Sequence, residues 1–285
     1  MPRWWQAHAK LNLYLHVVGR RADGFHLLDS LVGFADIGDR IAVAPASRLS
    51  LSVEGRFAAD LANDDPGNLV WRAAETLARR LGRTPDVALT LEKNLPVASG
   101  IGGGSSDAAA TLKALIDLWQ AKLEPSELND IAASLGADVP VCLGAQSSWM
   151  GGIGEQVEAA PVLPHAPLVL VNPCVALPTP AVFKARRGPF STQARFTEVP
   201  ADAAALAALI AARHNDLTEP AIATLPIVAH VLERLGDQAD TLIARMSGSG
   251  ATCFALFATS AAAEAAAARL QADEPGWWVA AGHLV

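Results

Sequence analysis

Between residues 7 and 17 apolar and polar positions alternate without a break. Ala7, Ala9, Leu11, Leu13, Leu15 and Val17 fall on one side, and His8, Lys10, Asn12, Tyr14 and His16 on the other. A period of two predicts a β-strand with one buried face and one polar face. Lys10 and Asn12 are then neighbours on the polar face, about 7 Å apart along the strand. Arg20-Arg21-Ala22-Asp23-Gly24 suits a tight reversal, and Phe25-His26 follow at its exit. Residues 40–43 and 49–53 read as further strands. Residues 68–81 read as a helix with Val70, Ala73, Ala74, Leu77 and Leu81 facing inward and Gly82 as its stop. A strand over 87–91 leads into the most unusual stretch of the chain.

That stretch is Leu95-Pro96-Val97-Ala98-Ser99-Gly100-Ile101-Gly102-Gly103-Gly104-Ser105-Ser106-Asp107, with four glycines in five residues. Behind it the apolar period changes to three and four, through Ala108, Leu112, Leu115, Ile116 and Trp119, so a helix follows. Ser105, Ser106 and Asp107 are residue types that cap such a helix. A helix start gathers unpaired N–H groups and a partial positive charge, and a glycine-rich approach lets an anion come close. The stretch therefore reads as a phosphate cradle, with a flexible surface loop as the plainer alternative. It is not a Walker loop, because no lysine occurs between Lys93 and Lys113. It is not the dinucleotide fingerprint either, because Ser105 stands where the third glycine is required.

Residues 126–135 predict a second amphipathic helix, with Leu128, Ile131, Ala132 and Leu135 on one side and Gly136 ending it. Asp138 is suited to cap a short helix with Pro140 in its first turn, and a carboxylate held there is also placed for chemistry. Residues 147–155 suggest a hairpin. Pro161, Pro164 and Pro167 mark a change of composition and a domain boundary, giving domains 1–160 and 161–285. Beyond it come a buried strand (168–171), helices over 202–213 and 222–235, and a small-residue loop, Ser247-Gly248-Ser249-Gly250-Ala251-Thr252, running into a strand. An alanine-rich helix (260–270) and a strand from Trp277 complete the order. Strands and helices mix without regular alternation, which is an α+β pattern.

The 285 residues carry a net charge of −7, which argues against non-specific nucleic-acid binding. Cys142, Cys174 and Cys253 form no metal motif and no disulfide framework, which suits a reducing compartment. The seven histidines are scattered, with no His-x-x-x-His pair, so no zinc motif is legible. The N-terminus has no secretory pattern. The two long uncharged stretches, 166–183 and 246–263, are broken by prolines or by a Ser/Gly cluster, so no membrane partner is expected and the cytoplasm is the default.

Ala9-Lys10-Leu11-Asn12-Leu13, Pro96 to Ser106 and Ser247-Gly248-Ser249-Gly250-Ala251 together resemble the three ordered motifs of the GHMP kinases, over essentially the whole chain. The resemblance implies a two-domain α+β fold, with an N-terminal domain like ribosomal protein S5 domain 2 and a ferredoxin-like C-terminal domain. It implies ATP held by Pro96, Val97, Ala98, Ser99, Gly100, Ile101, Gly102, Gly103, Gly104, Ser105 and Ser106, with Mg2+. Asp138 would be the proton acceptor and Lys10 its cationic partner. Within the family, Gly24-Phe25-His26, Gly136 to Pro140 and Pro178 to Phe183 resemble the branch that phosphorylates the 2-hydroxyl of a cytidine diphosphate-linked methylerythritol, a step of non-mevalonate isoprenoid precursor synthesis. Phe25, His26 and Phe183 would then form the cytidine pocket and Asn12 would hold the acceptor, in a monomer or homodimer. Many relatives have tyrosine where this chain has Phe25, which keeps stacking and removes a phenolic contact. The metal ligands are open. The remaining alternatives are another GHMP kinase, acting on homoserine, mevalonate or a sugar, and a non-catalytic nucleotide sensor on the same fold.

Overall fold

A computed structural model describes residues 3–285. The strands form two sheets. One has the order β3-β4-β2-β5-β6 with β1 beside β2, from β1 (Trp4–Arg20), β2 (His26–Pro45), β3 (Ser50–Glu54), β4 (Val87–Glu92), β5 (Ser148–Gly152) and β6 (Gln156–Ala159). The other has the order β10-β7-β9-β8, from β7 (Pro167–Asn172), β8 (Thr241–Met246), β9 (Cys253–Phe257) and β10 (Trp278–His283). The fold is α+β, as expected from the chain order.

Two compact units divide the chain, and each is discontinuous in sequence: 3–9, 38–97 and 102–145 in the first, 10–37, 98–101 and 146–285 in the second. The second unit therefore takes in residues 10–37 and 98–101, which the expected division at residue 160 assigns to the N-terminal domain.

In the first unit, β3 runs parallel to β4, and β4 pairs antiparallel with residues 40–45 of β2. Helix α1 (Leu69–Arg80) lies in the register its apolar spacing predicts, with Val70, Ala73, Ala74 and Leu77 fully buried. The Asn68 side chain caps it by accepting from the Val70 N–H. Helix α2 (Gly103–Trp119) buries Ala108, Leu112 and Leu115. Helix α3 (Pro125–Leu135) opens with a reciprocal Glu124–Glu127 capping box, and α4 (Val139–Gly144) follows.

In the second unit, residues 28–32 of β2 pair antiparallel with β5, and β5 pairs with β6 as the expected hairpin. The four-stranded sheet is antiparallel throughout. Helices α5 (Thr179–Ala185), α6 (Ala203–Ala211), α7 (Thr218–Thr224), α8 (Ile227–Gly236) and α9 (Ser260–Asp273) complete it. The single helix expected over 222–235 is two helices. Pro226 supplies no N–H to an ongoing helix and falls at the junction of α7 and α8.

The face of β1 expected to be solvated is buried: Lys10, Asn12, Tyr14 and His16 are each at most 5% exposed. The segment after α5 lies across this face. Ser191 N–H donates to the Val17 carbonyl, and Leu15 bridges to Asn215. Each polar side chain finds a partner there, which is what allows burial. Tyr14 donates to Asp29 at 2.9 Å, and a ring nitrogen of His16 lies 2.9 Å from the Thr192 carbonyl. Asp29 is itself fully buried and also accepts from Ala194 N–H and Arg195 Nε. Burial and the adjacent Asp29 carboxylate push the Tyr14 phenol up.

Candidate active site

The glycine-rich loop takes backbone conformations that explain its composition. Ala98, Gly100 and Gly102 all have φ between +52° and +77°. At Gly100 a side chain is excluded twice over, by φ and by space: a Cβ would lie 2.5 Å from the Gly250 carbonyl oxygen. Helix α2 starts earlier than the capping residues suggest. Gly102, in the left-handed region, takes the N-cap position without a side-chain bond. Ser105, Ser106 and Asp107 consequently lie inside the first turns, and their expected role as caps is corrected. The reason is conformational, since glycine accepts the left-handed N-cap that serine and aspartate would resist. Ser106 N–H bonds back to the Gly102 carbonyl. The N–H groups of Gly103, Gly104 and Ser105 precede the point at which an α-helix supplies acceptors, so they suit an anion.

Three separate stretches meet within the second unit. Lys10 N–H donates to the Ile101 carbonyl at 2.9 Å. Asn12 N–H donates to Ser247 Oγ at 3.1 Å, and that hydroxyl donates to the Gly100 carbonyl at 3.2 Å. Thr252 N–H donates to the Ser99 carbonyl. The residues of 247–252 thus brace the glycine loop directly, and their turn is not merely a local reversal. Lys10 Nζ donates to Asn12 Oδ1 at 3.1 Å, while Asn12 Nδ2 donates to Ser30 Oγ at 2.7 Å. The ammonium and the carboxamide predicted to be neighbours are therefore fixed relative to each other and to the loop.

Sequence reasoning missed Asn215. Its buried Nδ2 donates to the carbonyls of Met246 and Gly248, both at 2.8 Å, and so shapes the 247–252 turn. The only hint was a polar triplet, Asn215-Asp216-Leu217, between two helical runs.

Sequence reasoning also missed a buried ion cluster in the first unit. Lys93 Nζ donates to Asp39 Oδ2 at 2.5 Å and to Asp107 Oδ2 at 2.7 Å, with all three side chains at most 3% exposed. Asp39 Oδ1 accepts from the N–H groups of Asn94 and Leu95, at the entry to the glycine loop. Asp107 lies at its exit, on the second turn of α2. One lysine therefore ties the two ends of the loop together. A Cβ on Gly103 would come within 3.1 Å of Lys93 Nζ, so this glycine makes room for the ammonium. Burial opposes the charge of Lys93, but Asp107 and Asp39 outweigh it and hold its pKa above the ordinary value. Burial pushes the Asp107 carboxyl up to about 8, against the pull of Lys93 and with the push of Asp39. Asp107 Oδ1 is buried and has no hydrogen-bond partner.

Asp138 belongs to the first unit and stands at the N-cap of α4, with Pro140 in the first turn as expected. Its side chain makes no capping bond, so the local reading of Asp138 as a side-chain cap is corrected. Its φ of −87° and ψ of −8° are already helical, whereas a capping side chain works from an extended backbone. Ser106, on α2, donates to the sulfur of Cys142 in the same short helix.

Phe25, at 58% exposure, projects from the Arg20–Gly24 reversal, which Arg20 fixes by donating to the Gly24 carbonyl. His26 and Phe183 are brought together, as the sequence suggested, but they stack on each other. Their centroids lie 5.0 Å apart and their planes are inclined by 24°. That spacing leaves no slot for a base between them, since two stacked layers need about 7 Å. Burial, with Arg20 and Arg186 nearby, pushes the His26 imidazole down.

Comparison with known proteins adds a further line of evidence. The profile described as GHMP kinases N terminal domain matches residues 68–146, and that described as GHMP kinases C terminal matches residues 198–275. The chain is 54% identical over 280 residues to a 4-diphosphocytidyl-2-C-methyl-D-erythritol kinase of Paramagnetospirillum magneticum, covering 98% of both chains. It is 52% identical to the protein of the same name from Rhodospirillum rubrum, covering 98% of this chain and 91% of that one. Among solved structures, a 4-(cytidine 5'-diphospho)-2C-methyl-D-erythritol kinase superposes with a TM-score of 0.82 at 34% identity over 99% of each chain. A homoserine kinase from Cytophaga hutchinsonii, at 16% identity and a TM-score of 0.75, is similar in fold.

Proposed function

The chain belongs to the GHMP kinase family, and from that premise we propose that it is an ATP-dependent kinase phosphorylating the 2-hydroxyl of 4-diphosphocytidyl-2-C-methyl-D-erythritol. The observation that carries this reading is identity above 50% along the full length of relatives bearing that name. The alternatives acting on homoserine, mevalonate or a sugar have only distant similarity of fold behind them.

Phosphoryl transfer needs positioning and charge neutralisation more than covalent help from the protein. The Pro96–Ser106 stretch holds the phosphates through backbone N–H groups between Val97 and Ser105, aided by the dipole of α2. Asp138 accepts the proton of the acceptor hydroxyl as the bond to phosphorus forms. Lys10, oriented by Asn12, supplies positive charge to the transferring group. Asn12 is also a candidate to hold the acceptor. Mg2+ belongs to the proposal, with the ATP phosphates supplying many of its ligands. The domain division at 160/161 and a cytoplasmic setting are further parts of it. The division has the support of the two profile matches, which end at 146 and begin at 198. Among the described residues no helix is long and apolar enough to cross a membrane.

The direct test incubates the protein with Mg-ATP and 4-diphosphocytidyl-2-C-methyl-D-erythritol and follows phosphorus NMR. ADP appears together with a new phosphomonoester at the 2-hydroxyl. Binding of ATP without acceptor phosphorylation would discard the assignment and favour a sensor.

In the cytidine pocket, the stacked pair of His26 and Phe183 forms one wall, and the exposed Phe25 is the ring left to cover a base. Stacking on one aromatic is worth about 1–3 kcal/mol. Phe25→Ala therefore raises the KM for the cytidine-bearing acceptor about 5- to 150-fold, with the KM for ATP unchanged. Phe25→Tyr leaves the acceptor KM within about 3-fold of the parent value, because the stacking face is retained. An unchanged acceptor KM in Phe25→Ala would remove Phe25 from the pocket.

A further inference from the structure

Three chain segments remote in sequence converge at one corner of the second unit. Leu284 bridges to Ala35 at the end of β10, and its N–H donates to the Ala166 carbonyl. Val285 N–H donates to the Phe34 carbonyl, and His283 pairs with Pro167 at the start of β7. These backbone bonds bring Asp36, His165 and His283 side by side, and none of the three belongs to the kinase site. One ligand-capable atom from each lies within 4.8 Å of the other two.

We propose that Asp36, His165 and His283 bind a divalent transition-metal cation, of which Zn2+ is the natural probe. Two imidazoles and a carboxylate suit zinc, nickel or copper, whereas Mg2+ prefers all-oxygen ligands. This cation is therefore distinct from the one that accompanies ATP.

The cluster is partly preorganised. Asp36 Oδ1 accepts from the His283 N–H at 2.7 Å, and Asp36 Oδ2 lies 3.3 Å from His283 Nδ1. A Cβ on Gly282 would fall 2.2 Å from Asp36 Oδ1, so glycine at this position is what admits the carboxylate. The imidazoles of His165 and His283 stack at 4.3 Å with planes inclined by 9°, so they lie side by side and must tilt toward each other for both lone pairs to meet one ion.

Two ligand atoms on one tetrahedral zinc are about 3.4 Å apart, given bonds of about 2.1 Å. The three side chains must therefore draw in by up to about 1.4 Å. Exposure makes this feasible, because Asp36 and His165 are exposed and the His283 side chain is 25% so. One ring nitrogen of His283 faces Asp36 and the other lies 2.8 Å from Ser260 Oγ, so the cation replaces one of these neighbours. Water completes the coordination. The bound cation cross-ties β2, β10 and the segment before β7.

Titrating chelator-treated, tag-free full-length protein with Zn2+ in a calorimeter gives one ion per chain, and Co2+ gives the intense visible bands of a tetrahedral site. His165→Ala and Asp36→Asn each weaken binding at least ~10-fold. His165 is exposed, so its replacement leaves folding and kinase activity intact even if His283→Ala does not fold. Zn2+ raises the melting temperature of the parent protein and leaves that of His165→Ala unchanged. Absence of saturable binding overturns the proposal, and so does binding that persists in His165→Ala/Asp36→Asn or disappears in Cys174→Ser. Any of these three results makes the cluster a hydrogen-bonded corner alone.

Discussion

Asp138→Asn lowers kcat by at least ~10²-fold and by up to ~10⁴-fold, while the dissociation constant for ATP stays near that of the parent protein. The substitution removes the proposed proton acceptor and adds no bulk. Asparagine is also at home at a helix N-cap, so α4 keeps its start. No capping bond is lost, because the Asp138 side chain makes none. Single-turnover rates beside nucleotide titrations and melting curves separate a catalytic effect from a stability effect. Lys10→Ala falls in the same range for turnover for a different reason, through loss of the charge that Asn12 orients. Near-normal turnover in either variant would strip that residue of its role.

The second large effect is expected at Lys93→Met. Methionine keeps the length of the stem and removes the ammonium, leaving the Asp39 carboxylate buried without its cation and the Asp107 carboxyl without its donor. Breaking a buried ion pair by removing one partner costs about 3–5 kcal/mol, which urea denaturation reads directly. The damage is local as well as global. The ends of the glycine loop lose the group that joins them, so the surviving folded protein shows a raised KM for ATP.

Asp107→Asn is the contrasting control. Its amide oxygen can still accept from Lys93, and Asp39 still balances the charge, so the loss stays below about 1.5 kcal/mol. The two variants also differ in pH dependence. Native Asp107 keeps its proton up to about 8, whereas the unfolded carboxyl, near 3.8, has released it. Between these values the native state binds the extra proton, so the contribution of Asp107 to stability falls as pH rises. In Asp107→Asn that slope is absent. Equal slopes in parent and variant would show that Asp107 titrates normally.

The glycine loop and its helix were legible because their signals are local. Backbone freedom is written in Gly100, Gly102, Gly103 and Gly104, and the switch to a period of three and four announces α2. The alternation through residues 7–17 likewise announced β1 and the neighbouring positions of Lys10 and Asn12. The same alternation misled about solvation, because burial of a polar face depends on which distant segment covers it. Here Thr192 and His214 lie against His16 and Arg213 lies over the ring of Tyr14, all remote in sequence from β1.

By itself, the sequence determined the class of fold, the order of most elements, the three family motifs and the chemistry they imply. Each of these rests on backbone preference, apolar period or a motif within a short window. Only tertiary structure decided that Lys93 staples the glycine loop between Asp39 and Asp107, that Asn215 shapes the turn at 247–252, and that Asp36, His165 and His283 meet. No window of sequence contains such clusters. They exist because backbone pairing brings remote segments within hydrogen-bonding distance, where a buried charge must find a partner or stay neutral.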